Sequence, residues 1–170
     1  MILGLLTLLH VALSLAGIGA GFVVLFGMLT AKRFDSWTKL FLWTTVATSV
    51  TGFLFPFHRL LPSHIVGIVS LIVLVIAIRA YSRLYVSGGW RKTYVIAAVT
   101  ALYLNVFVLV AQLFLKVPPL KALAPTQSEP PFQIAQLVVL VLFLVLGTLA
   151  AKKFPRTEPP ATQSFRAIHT

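Results

Sequence analysis

Three of the four histidines in this chain, His10, His58 and His64, share the first 64 residues, and the fourth is His169. Imidazole is the side chain that titrates near neutrality and the commonest metal ligand. His10 paired with His58 or His64 offers the two axial ligands of a haem b iron, as in membrane b-type cytochromes. The same histidines, joined by Gln112 and Gln136, also suit a quinone or a lipid headgroup. A metal held by His58 and His64 alone is a weak reading, since neither has an acidic or cysteine companion nearby. The chain has no cysteine, so disulfides, thiol chemistry and iron–sulfur clusters are excluded. No Ser/His/Asp set, carboxylate pair, HExxH or phosphate loop ending in lysine is present. A non-enzymatic role is therefore expected. Gly17-Ile18-Gly19-Ala20-Gly21 has the glycines of a nucleotide loop but lies inside an apolar run, where it reads as helix packing.

The residues that must position these groups are overwhelmingly apolar. Of 170 residues, 59% are hydrophobic and 10% charged. A soluble domain carries about a quarter charged residues, so a soluble globule is excluded, and the chain is too apolar for disorder. Five apolar runs cover about 3–30, 40–57, 65–86, 93–115 and 132–151. Each can cross ~30 Å of hydrocarbon as a helix. They lack the two-residue alternation of barrel strands, and in lipid the backbone must satisfy itself. The expected fold is all-α, a polytopic bundle of five transmembrane helices. The run from Ile2 to Thr30 is too long for a signal-peptide core and lacks a basic start, so it reads as a retained span.

The breaks between runs carry helix punctuation. Asp35-Ser36 can cap the second helix and Ser63 the third. Pro56 ends the second, Ser87-Gly88-Gly89 the third, and Pro130-Pro131 suit the first turn of the fifth. The stretch from Lys116 to Pro131 reads as an extended proline-rich loop. Residues 154–170 read as a polar tail. Trp37-Thr38-Lys39 and Trp90-Arg91-Lys92 each place an aromatic and a base at a helix start, the pattern of an interfacial anchor.

The 14 bases against 3 acids give a net charge of +11. In a soluble protein that would suggest nucleic acid; here the bases flank apolar runs, so no nucleic-acid partner is expected. Lys32, Arg33, Lys39, Arg79, Arg83, Arg91, Lys92, Lys152, Lys153, Arg156 and Arg166 fall on one face of the five-span arrangement, and Arg59, Lys116 and Lys121 on the other. The positive-inside rule makes the first face cytoplasmic, with the N-terminus outside and the C-terminus inside. Arg79 and Arg83, four apart, read either as snorkelling side chains or, with Arg91 and Lys92, as a site for anionic lipid.

Polar residues inside the runs are the informative ones. Thr7, His10, Ser14, Gly17 and Gly21 are spaced 3, 4, 3 and 4 and share one helix face. Gly17 and Gly21 form a GxxxG pair that admits a neighbouring backbone, and Asn105 needs an interhelical partner. His10 lies about two turns below the outer surface. His10, His58, His64, Gln112 and Gln136 thus fall in the outer third of the bundle, the expected position of an outward-facing pocket for a hydrophobic ligand, lipid or partner subunit. A haem b or quinone carrier at the histidines is the alternative, and a small oligomeric transporter or channel the third. The chain has no carboxylate inside a run, which counts against the third.

The chain resembles a group of small, uncharacterised bacterial inner-membrane proteins. The likeness rests on Thr48-Ser49-Val50-Thr51-Gly52-Phe53, Leu61-Pro62-Ser63-His64, Trp90-Arg91-Lys92-Thr93-Tyr94, Leu102-Tyr103-Leu104-Asn105-Val106-Phe107 and the loop Ala124-Pro125-Thr126-Gln127-Ser128-Glu129-Pro130-Pro131-Phe132. It implies a multi-pass protein of the bacterial cytoplasmic membrane and brings no activity or site with it. The bilayer, anionic lipid on the cytoplasmic face, and a membrane partner or second copy are the expected partners.

Overall fold

The computed structural model describes residues 2–55, 62–84 and 88–155, the side chains at 62, 63 and 88 excepted. It is an all-α bundle. The helices are α1 (Ile2–Leu29), α2 (Asp35–Gly52), α3 (Pro62–Ser82), α4 (Gly88–Lys116), α5 (Pro118–Leu123) and α6 (Pro130–Lys153). Among the described residues four helices are long and apolar enough to cross a membrane: Ile2–Leu29, His64–Ser82, Gly89–Lys116 and Pro130–Lys153. α2 is not among them. Its 18 residues include five threonines and two serines besides Asp35 and Lys39, and these dilute its hydropathy.

The helices differ from the apolar runs mainly at their ends. α2 begins at Asp35 and α4 at Gly88, because polar end turns extend a helix beyond its apolar stretch. Gly88-Gly89 therefore opens α4 rather than closing α3. The expected cap at Asp35 is corrected: Phe34 is the N-cap of α2 and makes no side-chain capping bond. The Asp35 carboxylate is taken instead by Arg33 and Tyr81. The proline-rich connection is not wholly extended, because Pro118-Pro119 occupy the first positions of the six-residue α5, where the missing N–H costs nothing. Pro130-Pro131 likewise start α6. The expected stop at Pro56 and most of the tail lie outside the described residues.

α1 packs along α2, and α3 along α4. α4 is the central helix, touching α1, α3, α5 and α6. Of its most apolar window 44% is buried, against 11% for α6. The core is built on small residues. Ala20, Ala77, Ala80, Ala98 and Ala101 are buried, and small side chains let helix backbones approach. Around them lie Met28, Phe41, Leu74, Tyr94 and Val95. α1 is terminated by Ala31, held in the left-handed conformation at φ 56°, with Lys32 N–H reaching back to the Gly27 carbonyl at 2.8 Å. That is the Schellman-type ending.

Candidate functional site

Contacts between the helices define two polar ends. One end joins the start of α2 and α4 to the finish of α3 and α6. There the Asp35 carboxylate accepts from Arg33 at 2.9 Å and from the Tyr81 hydroxyl at 2.8 Å. Tyr94, only 1% exposed, meets the Thr38 hydroxyl at 3.3 Å. Its ring lies 5.4 Å from that of Tyr81 and 5.9 Å from that of Phe154. A recess of about 10 Å³ sits among Arg33, Asp35, Tyr81 and Tyr94, room for about one water molecule. Burial acts to raise the Asp35 pKa, but the Tyr81 and Arg33 hydrogen bonds, with the charges of Arg33 and Lys39, outweigh it and leave the carboxyl below its usual value. Asp35 is thus a fixed negative charge in the most basic part of the protein.

The bases assigned to anionic lipid are not all alike. Arg79, Arg83 and Lys92 are exposed, and the Arg83 guanidinium lies 5.4 Å from the centre of the Trp90 ring, a cation–π contact. Arg91 is turned inward. It donates to the carbonyls of Ala151 and Phe154 at the end of α6, where a helix leaves carbonyls without internal partners and favours a cation. Among the described residues, Lys32, Arg33, Lys39, Arg79, Arg83, Arg91, Lys92, Lys152 and Lys153 belong to this basic end, and Lys116 and Lys121 to the other.

The other end holds the histidines. His10 on α1 lies 2.9 Å from the Thr51 hydroxyl on α2 through Nδ1. That hydroxyl also lies 2.8 Å from the Ala47 carbonyl of its own helix. The imidazole stands edge-on to Phe55 at 5.3 Å. His64 is buried, its ring 5.9 Å from Phe53. Gln136 is buried on α6 and donates to the Phe107 carbonyl of α4 at 3.0 Å. Its Oε1 has no hydrogen-bond partner among the described residues. Gln112 is exposed on α4. His58 lies outside the described residues. His10, His64 and Gln136 are thus each engaged by a different neighbour: α2, the turn after α2, and α4. Among the described residues there is no group of three metal-ligating side chains.

Between the ends the packing residues meet across three helices. A Cβ at Gly17 would stand 3.1 Å from Thr44 Oγ1 and 3.2 Å from Thr45 Oγ1. One at Gly21 would stand 2.6 Å from Leu102 and 3.0 Å from Phe41. Asn105 donates to Thr45, which is fully buried, at 3.2 Å, and Ser49 donates to Ser70 at 3.3 Å. Above α4 the connection folds back. Gln127, at φ 61°, donates to the Ala111 carbonyl at 2.6 Å, and Glu129 accepts from Thr126 and Ser128.

Sequence reasoning missed the Asp35–Tyr81 and Tyr94–Phe154 contacts. It also missed a shallow apolar groove of about 280 Å³ between α3 and α4, lined by Val73, Ile76, Thr93, Ile96, Ala97 and Thr100. Its signal is the spacing of Thr93, Ala97 and Thr100, small or short side chains on one face of α4. Comparison of the chain with protein-family models, with curated proteins and with solved structures finds no match.

Proposed function

We propose that this is a non-enzymatic multi-pass protein of the bacterial cytoplasmic membrane, whose basic end binds anionic lipid. In this reading α2 is the fifth span. It runs from Thr38, beside Tyr94, to Thr51, beside His10, so it joins the basic end to the histidine end. Eighteen residues make about 27 Å of helix. The excess of bases makes that end cytoplasmic and the N-terminus external.

The observation that carries the reading is the disposition of polar groups. Inside the bundle Asn105, Thr45, Ser49 and Ser70 are turned to one another. Arg79, Arg83 and Lys92 stand exposed at one end. Each base near an anionic leaflet contributes about 1 kcal/mol. An outward pocket at the histidine end draws less support, since His10 and Gln136 turn to different neighbours, Thr51 on α2 and Phe107 on α4.

Two measurements test the proposal. The chain is free of cysteine, so Lys32→Cys and Lys121→Cys each carry a single thiol. An impermeant maleimide added to intact cells should label Lys121→Cys and spare Lys32→Cys. Delipidated protein titrated with phosphatidylglycerol and phosphatidylcholine, read by native mass spectrometry, should retain the anionic lipid preferentially. The reverse labelling pattern, or equal retention, would overturn it.

A further inference from the structure

We infer that the groove between α3 and α4 is a seat for a single phospholipid, one acyl chain lying in the groove and the phosphate held by Arg79 and Arg83. This rests on the anionic-lipid reading above and adds a defined site to it. Ala97, almost fully buried, is the floor. Ile76 and Ile96, 44% and 60% exposed, are the walls, so a chain laid between them covers apolar surface that the protein leaves open.

The groove has one polar exit. On α3, residues 76, 79 and 83 are spaced three and four apart, so Arg79 and Arg83 continue the stripe begun by Ile76. On α4, Trp90 is one turn before Thr93, and the Arg83 guanidinium lies 5.4 Å from the Trp90 ring centre. That contact keeps a cation at the end of the groove rather than letting it roam. An apolar slot opening onto two guanidiniums is complementary to a molecule with a hydrocarbon chain and a phosphate. A phosphate without a chain would leave the slot empty. Lys92 is exposed as well and, one turn before Ile96, stands beside the same slot, whereas Lys152, exposed on α6, lies at the basic end on a helix that does not line the groove.

Native mass spectrometry of the full chain with dioleoyl phosphatidylglycerol decides the matter. Arg79→Gln and Arg83→Gln should each weaken binding about fivefold, the weight of one base at an anionic surface. Lys152→Gln, which removes one positive charge from the same end but off the groove, should change it less than about twofold. Thr100→Phe, filling the slot from a half-buried position, should weaken it about tenfold, the loss of roughly two buried methylenes. If that variant does not fold, Thr93→Leu serves as the filler. Glycerol 1-phosphate should not compete with the lipid on the unaltered protein.

If the unaltered protein shows no preference for phosphatidylglycerol, the lipid reading fails and the site with it. If the preference is present but Lys152→Gln matches the arginine variants, or slot filling has no effect, or glycerol 1-phosphate competes, the defined site fails alone. The basic end then acts only as a diffuse charged surface.

Discussion

The basic end and the histidine end of the bundle hold similar numbers of polar side chains but are built differently. At the basic end Tyr94 and Thr38 are buried in a packed core that also takes in Met28, Leu84 and Phe154, with Tyr81 packed against it and Asp35 at its exposed rim. At the histidine end the polar groups are engaged one at a time, and every described residue of α1 before Gly17 is at least partly exposed. The cause lies in side-chain size. Gly21, Ala77, Ala80 and Ala98 fall in the half nearer the basic end and let the helices close. In the first half of α1 the leucines Leu3, Leu5, Leu8, Leu9 and Leu15 are exposed rather than packed. A polar contact made inside a packed core is shared among several elements, whereas one made beside open surface remains a pair.

The contrast can be broken by substitution. Tyr94→Ala should have the largest effect, destabilising the protein by about 3–5 kcal/mol as a large aromatic is deleted from a packed core. Chemical unfolding in detergent micelles measures it. Gly21→Leu should cost about 1–3 kcal/mol, because the new side chain enters space held by Leu102 and Phe41 and must displace them. His10→Ala should cost about 1 kcal/mol, the loss of one hydrogen bond. The purified protein, with or without that change, should show no haem absorption band. A loss on the scale of Tyr94→Ala, or a Soret band abolished by His10→Ala, would place a site of consequence at the histidine end and reverse the comparison.

The smallest effect expected is that of acid on Asp35. Its folded pKa lies below the ordinary carboxylate value, so its contribution is present above that ordinary value and fades as pH falls through the folded one. Asp35 is largely solvated, so the contribution should stay under about 1 kcal/mol. Asp35→Asn should lower stability at neutrality by under about 1 kcal/mol and flatten the stability curve below about pH 4. An Asn variant as acid-sensitive as the unaltered protein would remove the Arg33–Asp35–Tyr81 cluster from the account of this end.

The all-α character and the positions of α1, α3, α4 and α6 were legible in the apolar runs, because hydrocarbon-length hydrophobic segments have one way to satisfy their backbones, whereas α2 lies at 35–52 rather than at the expected 40–57. Helix ends were less so. The apolar run marks the greasy part of a helix, and the extra turns at Asp35 and Gly88 are polar or small. Pro118-Pro119 read as extended because proline breaks helices, although at a first turn it starts them. The Asp35–Tyr81 bond joins residues 46 apart, and no local pattern announces it. For His10 the sequence shows a polar group on the Gly17–Gly21 face, but its partner Thr51 is set by how α1 lies on α2. The groove escaped notice for a related reason. A stripe of short side chains is visible in one helix, but it becomes a slot only when a second helix supplies the opposite wall.

Arg91 has one further implication. The last carbonyls of a membrane helix usually face headgroups and water, so the chain leaving such a helix starts from a fraying end. In α6 the carbonyls of Ala151 and Phe154 are gripped by a guanidinium from the first turn of α4, 60 and 63 residues upstream. The finish of α6 is therefore moored to the start of α4, and the two helices cannot part at this end without breaking both bonds.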